Sequence, residues 1–257
     1  MNLAHLHLVM NHVPTVGSVV ALGLLLLAFA RRNEHLKHAG LEVLFLIAVL
    51  TLPVYVSGVA AYYEMRERPD VSALAGRYAA GGAVAISVLT EPAFFDGDPS
   101  DLAAAQESSG LPVLRKDFIL ESLQVWEARA MGASAVLLIA AALTPNELVA
   151  LLDDVEHAGL DAVVEVHDAE EARLARDLGA RIMGVNNRDL GSFEVDLSVA
   201  ETIAAELELA PLTVAESGIF TAADALRMKN AGYDAILVGE ALVKSDDPSR
   251  LIKELSI

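Results

Sequence analysis

The stretch Leu111–Leu120, LPVLRKDFIL, is an apolar run broken by three consecutive charges, Arg115, Lys116 and Asp117. A turn signal, Ser108-Ser109-Gly110, precedes it, so the run reads as a short buried strand. Cations in such a place are hard to explain as packing, because an unpartnered buried ammonium is strongly unfavourable. A strand that simply ends at the surface would account for one such case. The pattern recurs, however: apolar runs end in Glu165 and His167, in Asn186, Asn187 and Arg188, and in Glu216 and Ser217. Ammonium, carboxylate and amide groups at successive strand ends are a set suited to acid–base chemistry on an anionic substrate. Polar groups gathered at the C-terminal ends of parallel strands are how a (β/α)₈ barrel builds an active site.

The elements that must position these groups alternate without interruption from residue 70. Helices are expected over 71–80, 101–107, 122–131, 145–157, 169–178, 197–207 and 222–230, with a last short helix opened by Pro248. Strands are expected over 83–91, 112–119, 135–141, 161–168, 181–187, 212–218 and 235–240. Thr144, Pro145 and Glu147 form a capping box with proline at the first helical position, and Thr221 caps a second helix. Strands such as AVLLI are apolar on both faces, as strands covered by helices must be. The expectation is an α/β fold, a (β/α)₈ TIM barrel over residues 64–257. It has one defect: a closed barrel needs eight strands, and the first strand is missing although its helix is present.

The protein has 257 residues, no cysteine and a net charge of −18. Disulfides, thiolate metal sites and cysteine nucleophiles are therefore excluded. An acidic chain with few cations argues against nucleic-acid binding.

Residues 1–63 are of another kind. They carry Arg31, Arg32 and Lys37 against Glu34 and Glu42, so the acidity lies in the remainder. Val13–Ala30 and Val43–Tyr63 are uncharged and each long enough to span a bilayer as a helix. The expectation is a hydrophobic α-helical hairpin over 1–63, with membrane contact through residues 13–63; a buried core hairpin is the alternative. The positive-inside rule would hold the basic loop between the runs in the cytoplasm and put both termini on the far side. An acidic, enzyme-like barrel is expected in the cytoplasm, so the two indications conflict. His35 and His38 have helical spacing, but no carboxylate or cysteine completes a metal set, and interfacial histidines are the simpler reading.

Seven stretches together resemble indole-3-glycerol-phosphate synthase, the lyase of the tryptophan pathway: AISVLTEPAFFDGD, PVLRKDFI, EARAMGASAVLLIAAAL, VVEVHD, GVNNRDLGSFEVDL, AESGI and DAILVGEAL. They cover about residues 70–257 in order. The family closes an anilino-deoxyribulose 5-phosphate onto its own ring, losing CO₂ and water. The resemblance implies Lys116 as the general acid toward the substrate carbonyl, its pKa lowered in a dry barrel mouth. It implies Glu165 for protons at the dehydration step, Asn186 and Glu216 for substrate hydroxyls and for orienting the lysine, and Ser217 assisting. Phe118, Leu137 and Ile139 would wall the aromatic ring. Backbone N–H groups at Gly218, Gly239 and Glu240 would hold the phosphate. The only partner implied is a phosphorylated small molecule, with no cofactor and no metal.

One departure is large. The family's first strand carries a glutamate and a second lysine in a segment like EIKRASPS, whereas no lysine lies between Lys37 and Lys116 here. A membrane-fused barrel that only binds a phosphorylated ligand is therefore the competing reading. Another phosphosugar barrel lyase or isomerase is a weaker one, since isomerases of the neighbouring pathway step would want an aspartate and a cysteine as acid and base, and the chain has no cysteine.

Overall fold

The computed structural model describes residues 70–189, 194–207 and 210–257, apart from the side chains of Ala93 and Phe94. The expected hydrophobic hairpin, its membrane contact, and the suggestion that Val43–Val56 substitutes for a strand all lie outside the described residues. Among the described residues, no helix is long and apolar enough to cross a membrane. Asp70–Ile257 forms one compact unit.

That unit alternates as expected. Helix α1 (Val71–Gly81) leads to β1 (Ile86–Leu89), a short α2 (Pro92–Phe95) and α3 (Ser100–Ser109). Then come β2 (Val113–Lys116), α4 (Ser122–Ala130), β3 (Ala135–Ile139), α5 (Pro145–Ala158), β4 (Asp161–Val166) and α6 (Ala169–Asp177). The rest is β5 (Ile182–Asn186), α7 (Ser198–Ile203), β6 (Leu212–Glu216), α8 (Ala222–Asn230), β7 (Ala235–Leu237), α9 (Glu240–Val243) and α10 (Pro248–Leu255). The seven strands form one parallel sheet in chain order. β1 pairs only with β2, and β7 only with β6, among the described residues. Among the described residues this is a seven-stranded parallel α/β sheet with the strand order of the expected barrel.

The caps formed as expected. Thr144 accepts from the N–H of Glu147 while Glu147 reaches back to the N–H of Thr144, and Thr221 and Asp224 repeat the exchange at α8. The expected strands were drawn too long. Gly82 ends α1 in the left-handed conformation and the N–H of Ala83 still bonds back to Tyr78, so residues 83–85 leave the helix before β1 starts. The expected helix over 197–207 stops at Ile203 and tightens into a 3₁₀ turn, Ala204–Leu207.

Strand periodicity divides the core in two. Val113, Val136, Val164, Val166, Met183, Val185 and Ala215 face the helices, in the large layer between sheet and helices. Leu114, Leu137, Ile139 and Val163 face the opposite way and fill the interior. The helices at the two ends of the sheet also meet. α1 packs directly on α10: Ser249 Oγ donates to the Arg77 carbonyl at 2.7 Å, and the Arg77 guanidinium bonds the Asp246 carbonyl. Gly81 permits this approach, since a Cβ there would lie 2.9 Å from the Ser249 backbone.

Candidate active site

Lys116, Glu165, Asn186 and Glu216 lie at the C-terminal ends of β2, β4, β5 and β6 and share the inward parity of Leu114, Val163, Gly184 and Val214. They converge. Lys116 Nζ lies 3.2 Å from Glu165 Oε2 and 3.7 Å from Glu216 Oε2. Asn186 Nδ2 donates to Glu165 Oε1 at 3.1 Å. Both glutamates are buried, at 1% exposure each, while the lysine keeps about a quarter of its side chain exposed at the mouth.

The electrostatics correct one expectation. Burial does pull the Lys116 pKa down, but the charges of Glu216 and Glu165 outweigh it, and the net shift is upward. Lys116 is thus a full ammonium clamped by two carboxylates rather than one lowered by a dry site. The two carboxylates are driven apart. Burial raises Glu165, yet His167, Lys116 and Asn186 overcome that and hold it at about 2. Burial dominates at Glu216; Lys116 opposes it, Glu165 adds to it, and the result is about 7. Two acids pushed apart by their surroundings are the usual mark of divided acid–base roles.

Two strand-end groups of the opposite parity serve the frame. Arg115 points under α4, buried, where its guanidinium pairs with Asp117 at 2.9 Å and donates to the Gln124 carbonyl at 2.8 Å. Thr90 Oγ donates to the same Asp117 at 2.6 Å and ties in β1. Only Lys116 of the adjacent cations enters the site. Asn187 likewise staples the backbone, donating to the Glu216 carbonyl at 2.9 Å and accepting from the N–H of Ala200 at 3.0 Å.

The remaining expected residues are distributed unevenly. Ile139 pairs with Glu165 and stands level with it; Leu137 is one layer lower, fully enclosed beside Leu114 and Val163 as part of the floor. Phe118 is half-exposed after β2, its ring 6.3 Å from that of Phe95. Ser217 has φ of 62°, a left-handed backbone that a non-glycine residue holds at a cost of about 1–2 kcal/mol and that clusters at functional sites. Gly218 follows at φ 75°, where a Cβ would meet Val195 at 2.4 Å, so glycine is required there. Gly239 is different: its backbone is right-handed and the space around it is open. Gly218 and Gly239 each lie two residues beyond the paired Glu216 and Leu237, at the same end of β6 and β7. The Glu240 carboxylate is engaged by Arg188 at 3.0 Å and Lys244 at 2.6 Å.

Sequence reasoning missed Gly184. A Cβ on it would lie 2.1 Å from Glu216 Oε1, so the empty position on β5 is what admits the Glu216 carboxylate to the interior. A glycine inside a strand is the signal that marks such a close approach. Phe95 was within a quoted motif but not singled out.

The family model for indole-3-glycerol phosphate synthase matches residues 62–255. The chain belongs to the indole-3-glycerol phosphate synthase family. Among the synthases similar to it, that of Streptomyces griseus is 49% identical over 186 residues, spanning 72% of this chain and 69% of the relative. The Kineococcus radiotolerans synthase is 47% identical over 187 residues, 73% of this chain and 68% of the relative. Solved structures that share the fold include thiamine phosphate pyrophosphorylase from Pyrococcus furiosus, with a TM-score of 0.56 at 21% identity over 73% of this chain and 88% of that one. Orotidine 5'-phosphate decarboxylase from Pyrococcus horikoshii has a TM-score of 0.57 at 14% identity, covering 72% of this chain and 90% of the other. The synthase family match begins at residue 62, so Val13–Ala30 and all but the last two residues of Val43–Tyr63 fall outside it.

Proposed function

We infer that this chain is a carbon–carbon lyase that closes and decarboxylates 1-(2-carboxyphenylamino)-1-deoxyribulose 5-phosphate to indole-3-glycerol phosphate. The observation that carries the reading is the inward ammonium of Lys116 held between Glu165 and Glu216. In ring closure the substrate's aromatic carbon attacks its carbonyl carbon, and Lys116 gives the carbonyl oxygen a proton. Its charge also stabilises the developing oxyanion, which offsets the weaker acidity of a raised ammonium. CO₂ leaves and the aromatic ring is restored. For the loss of water, Lys116, reprotonated from solvent at the mouth, gives a proton to the departing hydroxyl, and Glu165, ionised throughout the neutral range, accepts the proton that leaves the adjacent ring carbon. Asn186, Glu216 and Ser217 hold the substrate hydroxyls and orient Lys116. Phe118 with Phe95, and Ile139 deeper in, face the aromatic ring, and Leu137 supports that wall from below. Backbone N–H groups at Gly218, Gly239 and Glu240 take the phosphate, with no cofactor or metal.

The missing first-strand glutamate and lysine favour a second reading, a barrel that binds the phosphorylated ligand and turns it over slowly. The lost cation acts on the substrate carboxylate, so chemistry suffers more than binding. The test is indole-product fluorescence from three chains: this one, one with an EIKRASPS-type strand in place of residues 1–63, and the repaired chain carrying Lys116→Ala. Restored turnover in the second, lost at least ~100-fold in the third, is the expected result. Full activity in the unrepaired chain would refute the account of the first strand, and activity in the third would refute the role of Lys116. On sequence grounds the barrel is cytoplasmic and residues 1–63 are a separate hydrophobic hairpin that contacts a membrane; failure of the full chain to float with lipid vesicles would refute that contact.

A further inference from the structure

His167 has no part in the reaction steps given above, yet it stands against Glu165. Its Nε2 lies 3.3 Å from Glu165 Oε1, at ion-pair distance. Its Nδ1 lies 3.4 Å from Glu171 Oε2. The same Glu171 oxygen accepts the backbone N–H of His167 at 2.7 Å. Glu171 is itself fixed: it sits in the first turn of α6, where Asp168 caps the helix by accepting from the N–H groups of Glu170 and Glu171, at 2.8 Å each. The short sequence VHDAEE therefore builds a rigid bracket at the exit of β4.

An imidazole with a carboxylate beside each ring nitrogen is satisfied only as the cation, since a neutral ring would turn one lone pair toward a negative charge. Burial works against that charge, but Glu165 and Glu171 prevail and raise His167 to about 9. The groups that set the balance around it are Glu165 on β4, Glu171 on α6, and, beyond Glu165, Lys116 on β2 and Glu216 on β6.

We propose that His167 is a positioning residue of the synthase reaction, a fixed imidazolium that, braced by Glu171, holds the buried Glu165 ionised and aimed at the substrate. The proposal rests on the reading of Glu165 as the proton acceptor of the site. Lys116 alone cannot serve this purpose without conflict, because it divides its charge between Glu165 and Glu216 and must also meet the substrate.

The experiment follows the Glu165 carboxylate by NMR in the full chain labelled with ¹³Cδ-glutamate, assigned by loss of its signal in Glu165→Gln. In the native chain Glu165 should stay ionised from about pH 4 to 8; in His167→Gln its titration midpoint should rise to about 4 or above and enter that window. Glu171→Gln should lower the His167 ring midpoint toward about 6.5, and it tests the bracket independently if His167→Gln does not fold. In the chain with a restored first strand, His167→Gln should lower kcat about tenfold, leave KM within about twofold and move the acid limb of kcat/KM upward. His167→Lys should recover part of kcat. An unshifted carboxylate in folded His167→Gln, or an unshifted ring in Glu171→Gln, overturns the proposal. A shifted carboxylate with unchanged turnover overturns its catalytic part and faults the reading of Glu165 instead, which keeps the two failures distinguishable.

Discussion

Glu216→Gln should make the protein more stable at pH 8 while harming the site. Glu216 is fully buried, one of its oxygens is without a hydrogen-bond partner, and its pKa in the folded protein is about 7. A glutamate in the unfolded chain titrates near about 4.3. Between those values the folded state binds the extra proton, so stability is fully present below the unfolded value and falls as pH rises through the folded one. The gap corresponds to roughly 3.5 kcal/mol lost by about pH 8, about 1 kcal/mol of it already by pH 5. His167, also raised, adds a loss of the same sign at higher pH, and Glu165, depressed to about 2, acts only on the acid side of the unfolded value. The Glu216→Gln substitution removes only the first of these. Denaturant unfolding of the full chain at pH 5 and pH 8, followed by fluorescence of Trp126, measures the difference; this is the single tryptophan and it sits on α4 of the barrel unit. The variant and native chain should agree near pH 5, and the variant should be more stable by about 2–3 kcal/mol at pH 8. Parallel pH dependence in the two proteins would refute the burial argument for Glu216.

Two other substitutions test how the frame supports the site. Gly184→Ala puts a methyl group against the Glu216 carboxylate and Val163, so it should cost about 1–3 kcal/mol in unfolding experiments and lower turnover of the repaired chain by displacing Glu216. Asp117→Ala removes the nearer of two carboxylates beside the buried Arg115 guanidinium and leaves Glu127 at 3.7 Å, so it should cost about 1–3 kcal/mol by urea titration.

The alternation of helix and strand, the number of strands after residue 70 and the helix caps were legible in the chain, because each depends on residues within one or two turns of one another. So was the grouping of Lys116, Glu165, Asn186 and Glu216, since a parallel sheet puts all its strand ends on one side. Strand ends were less legible: β1 begins three residues late because Gly82 and Ala83 still belong to the exit of α1. Neighbouring residues of one strand face opposite ways, but the helix that covers Arg115, rather than Lys116, is chosen by packing across the sheet. The chemistry of the site was legible in kind and not in sign. From the sequence, burial at Lys116 predicts a lowered pKa, while the distances from its ammonium to the neighbouring carboxylates are not legible there. The fold brings Glu165 and Glu216, from 49 and 100 positions away, to within 3.2 and 3.7 Å of its ammonium and reverses the shift. Room for Glu216 likewise depends on Gly184, on the adjacent strand but 32 positions earlier. Local spacing governs which face a side chain takes, whereas a titrating group responds to the few charges nearest in space. Only the geometry of the assembled strands decides which charges those are.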